Sequence, residues 1–205
     1  MGKVPTVLVP GKSIYDLRGS VKVNGQMANV DTVINSSALI ETGADSHLIF
    51  AVGKDAFILR HNSSLQLSGK GLISEMKLLS GKLLSVFGKR EQAQPLGIKT
   101  VNATIGIRGT GIYIESEPEL SYVCTCYGSA ELASLNDNAS REIVLTQHHE
   151  SPRYILSRES TGNNIRKAAM INHTDDELAL IEALVGRDVP FAISGGYSVP
   201  RKSGY

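Results

Sequence analysis

The segment from Leu78 to Glu115 reads LLSGKLLSVFGKREQAQPLGIKTVNATIGIRGTGIYIE and contains the densest glycine pattern of the chain. Over residues 104–114, glycines interrupt a run of β-branched residues at every second or third position. β-Branched residues favour strands, whereas a glycine inside a strand indicates a bulge or the close approach of another backbone. We therefore predict a bent strand here, in which Gly106 and Gly109 allow that approach or provide a positive φ.

Short apolar runs separated by turn residues lie on both sides of this segment. Asn24-Gly25 follows Val21-Lys22-Val23 and is a strong hairpin signal, and Gly53-Lys54-Asp55 separates the runs 47–52 and 56–59. Short strands at nearly regular spacing are typical of an all-β sandwich or a solenoid. The fold class predicted is mainly β, a solenoid-like or sandwich-like stack of short strands.

A helix is predicted near the end of the chain. Thr174 and Glu177 form a capping box, Gly186 ends the pattern, and helical spacing relates the apolar residues Leu178, Ile181, Leu184 and Val185. We predict two domains, a β domain over 1–132 and a C-terminal extension over 133–205 with a hairpin strand, one helix and a polar tail over 194–205. Residues 157–167, rich in Ser, Asn, Arg and Gly, are expected to form a loop or linker.

Composition limits the classes of function. The formal net charge is +1, and aromatic residues make up 5 % of the chain with no tryptophan, which argues against a nucleic-acid partner. Because no apolar run has the length of a bilayer span, we do not expect an integral membrane protein. The chain has no nucleophile elbow, no HExxH motif and no paired-carboxylate pattern, so we do not expect an enzyme.

The two cysteines of the protein, Cys124 and Cys126, lie two residues apart in a strand-forming run. Side chains at positions i and i+2 of a strand point to the same face, so both thiols are placed to bind one cation. A second strand, predicted over 141–149, ends in His148 and His149. Pairing of Ser121–Leu132 with this strand would bring the histidines to the cysteines, and strand parity favours His148, although both remain candidates.

His173 is a further candidate ligand, because it immediately precedes the predicted helix. Thiolate and imidazole ligands together favour zinc, copper or iron over magnesium or calcium. The predicted metal site thus comprises Cys124, Cys126, His148, His149 and His173. The alternative interpretation is a pair of free thiols with unrelated surface imidazoles, since the spacing is not that of a zinc finger or ribbon.

The run KTVNATIGIRGTGIYIE, residues 99–115, resembles the signature of the FecR domain, and LLSGKLL at 78–84 resembles the strand that precedes it. The resemblance extends from Gly19 to Ala130. It implies a solenoid-like stack of strands and a structural role for the signature residues Gly106, Arg108, Gly109 and Thr110. We expect Arg108 to pair with backbone carbonyls or a carboxylate, with an anion site as the alternative.

FecR proteins transmit iron-uptake signals from outer-membrane receptors to sigma factors. The resemblance implies a cell-envelope sensory or protein-interaction module with a protein partner, and we expect a periplasmic or extracellular location. No secretory signal is recognised at residues 1–10, so a cytoplasmic protein is the alternative to one from which a signal was removed. A structural or self-assembling β subunit is the alternative function, because stacked strands can present edges for self-association.

Overall fold

The computed structural model describes residues 6–90, 96–157 and 163–191. These residues form a 14-stranded sheet and one α-helix, α1 (Asp175–Leu184), which confirms the mainly β fold with a helical extension. In chain order the strands are β1 (Ile14–Arg18), β2 (Val21–Val23), β3 (Gln26–Met27), β4 (Leu39–Thr42), β5 (His47–Val52), β6 (Asp55–Leu59), β7 (Ser64–Lys70), β8 (Leu72–Val86), β9 (Leu96–Lys99), β10 (Ala103–Ser116), β11 (Leu120–Ser134), β12 (Arg141–Thr146), β13 (Arg153–Leu156) and β14 (Ile165–Lys167).

The glycine-rich strand β10 lies in the middle of the sheet. It pairs with β11 along its whole length, with β9 through its first half and with β8 through its second half. The register with β11 shifts between Arg108 and Gly111, which places a bulge at the predicted bend. Gly109 has φ +60°, a conformation that favours glycine, so its predicted role is confirmed.

The other signature residues behave differently. The prediction for Gly106 is wrong, since its φ is not positive and a Cβ there would meet the Glu131 Cβ at an ordinary 3.6 Å. Thr110 is buried and its hydroxyl donates to the carbonyl of Tyr127, across the bulge. Arg108 is exposed, and among the described residues its guanidinium makes neither the carbonyl contact nor the ion pair that we expected.

Two apolar clusters lie on opposite faces of the sheet, although the outward residues of strands such as β12 remain exposed. The larger cluster includes Phe50 and Phe57, whose rings stack with centroids 4.8 Å apart. The second cluster lies under α1, whose inward side chains are Leu178, Ile181 and Leu184. Both cysteines belong to this second cluster, so α1 covers the face on which the candidate ligands lie.

The C-terminal third is more regular than its composition predicts. Residues 157–167 were expected to be a loop, and 158–162 of these lie outside the described residues. β14 begins at Ile165 and pairs with β13, so the prediction is wrong at its end. The predicted domain boundary after residue 132 falls within β11, and strands on both sides of it share the sheet. The predicted polar tail, 194–205, lies outside the described residues. Within the described ranges, no helix has the length and apolar character needed to cross a bilayer.

Candidate metal centre

Cys124 and Cys126 lie at the middle of β11, where its outer edge changes partner. The first residues of β11, 120–123, pair with β13, and residues 128–133 pair with β12. Between these two pairings, the chain that connects β12 to β13 passes the cysteines. Both thiols are free, fully buried and on the same face of the strand, as the two-residue spacing predicts.

His149 reaches the cysteines from that connecting chain. β12 ends at Thr146, three residues before it, and His149 adopts φ +54°. Its backbone N–H donates to the carbonyl of Cys126 at 2.9 Å, which turns its ring over β11. The parity argument that favoured His148 is wrong, because the strand has already ended and strand alternation no longer applies.

His173 is fixed by the start of α1. Thr174 is the N-cap, and its side chain and that of Glu177 form the predicted capping box. The Glu177 carboxylate also accepts two bonds from Arg60 Nη2, both at 3.0 Å, which ties the helix start to the end of β6. The buried His173 ring stacks on Tyr113 of β10, with centroids 4.5 Å apart.

Four predicted ligands converge in this way. The ligand atoms of Cys124, Cys126, His149 and His173 all lie within 4.8 Å of one another, and all four residues are buried. His149 Nδ1 is 3.5 Å from the Cys124 sulfur and 3.0 Å from His173 Nε2. A tetrahedral zinc ion, with bonds of about 2.0 Å to nitrogen and about 2.3 Å to sulfur, sets neighbouring ligand atoms about 3.3–3.8 Å apart. The separation of Cys124 from His149 lies in this range, whereas the two imidazole nitrogens are slightly closer, at the distance of a hydrogen bond.

The outer nitrogens of both rings are already hydrogen bonded. His173 Nδ1 lies 2.6 Å from the carbonyl oxygen of Ile171, and His149 Nε2 lies 3.0 Å from the Asp175 carboxylate. Both oxygens only accept, so each outer nitrogen carries the proton and donates. In the neutral rings, the two inner nitrogens thus turn lone pairs toward each other. A proton or a cation between them is needed to relieve this repulsion, and the outer bonds are those that orient histidine ligands of metals.

The neighbouring groups shift the pKa values of Cys124 and His149 in directions that favour a proton in this role when no metal is bound. Burial opposes ionisation of Cys124, but the Cys126 thiol, His149 and His173 together hold the pKa of the Cys124 thiol well below its usual value. Burial and the neighbouring Cys124 raise the pKa of the Cys126 thiol. Although burial opposes it, Cys124 and Asp175 raise the pKa of His149. These directions favour loss of the proton from Cys124 and its retention on His149, and the thiolate is the form of cysteine that binds a cation.

His148 is not brought to the cysteines. Its Nε2 donates to both oxygens of Asp175, at 2.9 and 3.0 Å, and it forms a second group with His149 and Asp175. Sequence reasoning missed Asp175, the first residue of α1. An acidic residue in the first turn of a helix is common for reasons of the helix dipole alone, so nothing in the sequence distinguished this carboxylate.

Comparison with known proteins gives a structural likeness only. No protein-family model and no curated protein match the chain. Two crystal structures of a "putative anti-sigma factor" from Parabacteroides distasonis, at 2.50 and 1.65 Å resolution, each match with a TM-score of 0.52 and 14 % identity. Each match covers 64 % of this chain and 59 % of the other, so this chain spans less than two thirds of that protein's length. The shared fold is consistent with the FecR-like resemblance of residues 19–130.

Proposed function

We propose that this protein is a non-enzymatic protein-interaction module of the cell envelope in which Cys124, Cys126, His149 and His173 bind one zinc ion. One observation carries the metal site: two buried imidazole nitrogens face each other at 3.0 Å, one of them 3.5 Å from the Cys124 sulfur, while the outer nitrogens of both rings are bonded. Two sulfur and two nitrogen donors, with no open position, are the ligand set of structural zinc sites.

The metal would act as a clamp between three parts of the chain. Cys124 is 25 residues from His149, which is 24 residues from His173. Binding would thus join β11, the turn after β12 and the start of α1. Closing loops of this length restricts the unfolded chain, and binding energy that needs the assembled ligands adds to the stability of the fold.

The envelope and signalling parts of the proposal rest on the resemblance. The FecR-like signature supports a sensory or regulatory role with a protein partner, and both structural neighbours are described as a "putative anti-sigma factor". We infer a periplasmic or extracellular location on the same ground. Fractionation of cells that produce the whole gene product tests this, since recovery with a cytoplasmic marker would contradict it.

Elemental analysis tests the metal site. The full chain is purified under reducing conditions without chelators, and we expect about one equivalent of zinc per chain. The double variant Cys124→Ser, Cys126→Ser should lose it. His47→Gln is the matched control, because His47 lies in β5 and contacts Asp16 rather than the cluster. Less than about a tenth of an equivalent of zinc, copper or iron in the wild type would contradict the site. Copper or iron in place of zinc would support the ligand residues but would show that the proposed identity of the metal is wrong.

A self-assembling subunit is the second candidate function, and β12 is the observation that favours it. Ile143 and Leu145 point outward and are 73 % and 78 % exposed. Among the described strands, β12 pairs only with β11, so its other edge has no strand partner. An exposed apolar edge favours pairing with a second copy. Light scattering tests this, because association lost in Ile143→Ser, Leu145→Ser would support assembly, and a monomer at all concentrations would exclude it.

A further inference from the structure

The buried centre needs a route by which a metal ion reaches it. The ligand residues Cys124, Cys126, His149 and His173 are all buried, so none offers a donor atom directly to solvent. His148 lies on the outer side of His149, with ring centroids 4.9 Å apart, and its side chain is 30 % exposed. It is thus the histidine of this region that an ion in solution meets first.

The outer group has its own set of donors. His148 Nε2 and His149 Nε2 both lie about one hydrogen-bond length from the Asp175 carboxylate, at 2.9–3.0 Å and 3.0 Å. Binding a cation here requires each Nε2 to give up the proton that it donates to Asp175, with the neutral ring then carrying its proton on Nδ1. Two such imidazole nitrogens and a carboxylate oxygen are donors that zinc and similar divalent cations accept, with water completing the coordination. Asp175 adds a negative charge to these donors, and since its side chain is only 4 % exposed, that charge is weakly screened from an ion held at His148.

His149 belongs to both groups. Its Nδ1 points to the cysteines and His173, whereas its Nε2 points to Asp175 and the outer group. One imidazole ring therefore separates the two positions. When Nδ1 of His149 holds a metal, the Asp175 carboxylate is needed to accept a hydrogen bond from Nε2–H, because this bond fixes the orientation of the ring. An ion that stayed bound to Asp175 would compete with this hydrogen bond. The outer position is therefore suited to brief binding of an ion on its way inward rather than to permanent occupancy.

We propose that His148 and Asp175, with the outward nitrogen of His149, form an outer cation position through which divalent metal passes into the buried cysteine–histidine centre. This inference rests on the proposed function, because it requires the inner site. The competing explanation is that His148 only holds Asp175 in place. In that case its removal would change the final affinity or the thermal stability, without a specific effect on the rate of loading.

Loading kinetics separate the two explanations. The full chain is stripped of metal under reducing conditions and mixed rapidly with cobalt(II), and the sulfur-to-cobalt absorption reports arrival at Cys124 and Cys126. We expect His148→Ala to load about tenfold or more slowly, because the exposed donor of the outer position is lost, on the order of the losses seen when a residue around a metal site is removed. The final stoichiometry should stay at the wild-type value. His148→Glu replaces the imidazole nitrogen by a carboxylate oxygen, which also binds divalent cations. This variant should therefore recover most of the loading rate that His148→Ala loses.

His47→Ala is the matched control. His47 also contacts a carboxylate, Asp16 at 2.7 Å, and its side chain is 36 % exposed, but it lies in β5 away from the cysteines. Its rate should equal that of the wild type. Equal or faster loading by His148→Ala would overturn the inference, and so would a loss of final cobalt or a second cobalt bound stably by the wild type. Failure of the wild type to bind any cobalt would overturn the proposed function as well, which distinguishes the two failures.

Discussion

Nδ1 of His149 lies 3.0 Å from Nε2 of His173, although 24 residues separate them and neither belongs to a helix or strand. One ring comes from the turn after β12 and the other from the residue before the N-cap of α1. The outer nitrogens of the two rings are hydrogen bonded to Asp175 and Ile171. How firmly the two segments are joined therefore depends on whether a proton or a metal ion lies between the inner nitrogens. The first two predictions follow from this contact.

The two thiols should react as one unit. In the proposed site each sulfur is a ligand, so alkylation of Cys124 and Cys126 should be slow in the metal-loaded protein and should accelerate for both after chelation. Mass spectrometry after a timed pulse of iodoacetamide measures the two sites separately. Equal rates with and without chelator would contradict the clamp, as would acceleration at only one cysteine.

Removal of the metal should loosen α1 before the sheet. The helix has ten residues, too few for stability on its own, and it depends on packing of residues such as Leu178 and Ile181. Hydrogen exchange should accelerate over 147–150 and 173–184 after chelation, while the amides of β8 and β10 keep their protection. In the double variant Cys124→Ser, Cys126→Ser, addition of chelator should leave the exchange rates unchanged. Uniform acceleration over sheet and helix would show that the metal supports the whole fold rather than the C-terminal segment.

Gly109→Val should destabilise the protein by roughly 2 kcal/mol or more, because valine is strained at the positive φ of this bulge. Gly97→Val is the matched control. Gly97 lies in β9 without a positive φ, and at both positions a Cβ would meet no atom within 4 Å. The difference between the two variants in urea denaturation thus isolates the backbone conformation. Equal midpoints would contradict the role of Gly109.

The ion pair of Glu142 and Arg153 should give a pH-dependent contribution. The hydrogen bond from Arg153, together with its charge, holds the pKa of Glu142 below its ordinary value. A carboxyl with a lowered folded-state pKa stabilises the protein above its unfolded pKa, about 4.3, and loses this contribution as pH falls through the folded value. Glu142→Gln should therefore lower the melting temperature at pH 7 by a small amount, since the pair is partly solvated, and the difference should shrink toward pH 3.

Glu131→Gln serves as the control for that titration. Glu131 is more exposed than Glu142, and its contact with Arg141 is longer, at 3.8 Å against 2.5 Å. Its substitution should change the melting temperature less at pH 7. A difference for Glu142→Gln that stays constant from pH 7 to pH 3 would show that the charge of this carboxyl has no role.

The sequence by itself determined the features that depend on a short repeat or on neighbouring residues. Alternation and turn chemistry predicted the mainly β fold, the capping box of Thr174 and Glu177 predicted the start of α1, and the two-residue spacing placed both thiols on one face. These features depend on contacts between residues that are near in the chain. The same holds for the bend at Gly109, since a positive φ is a property of one residue.

Contacts between distant segments were decided only by the tertiary structure. β12 ends at Thr146, so backbone hydrogen bonding to Cys126 selects His149 rather than His148 as the neighbour of the cysteines. Asp175 joins the site because α1 packs across the face of β11, and no local pattern encodes that packing. The types of candidate ligand can therefore be predicted from sequence, whereas the choice among adjacent histidines and the carboxylate behind them depends on how the sheet, the turn and the helix meet.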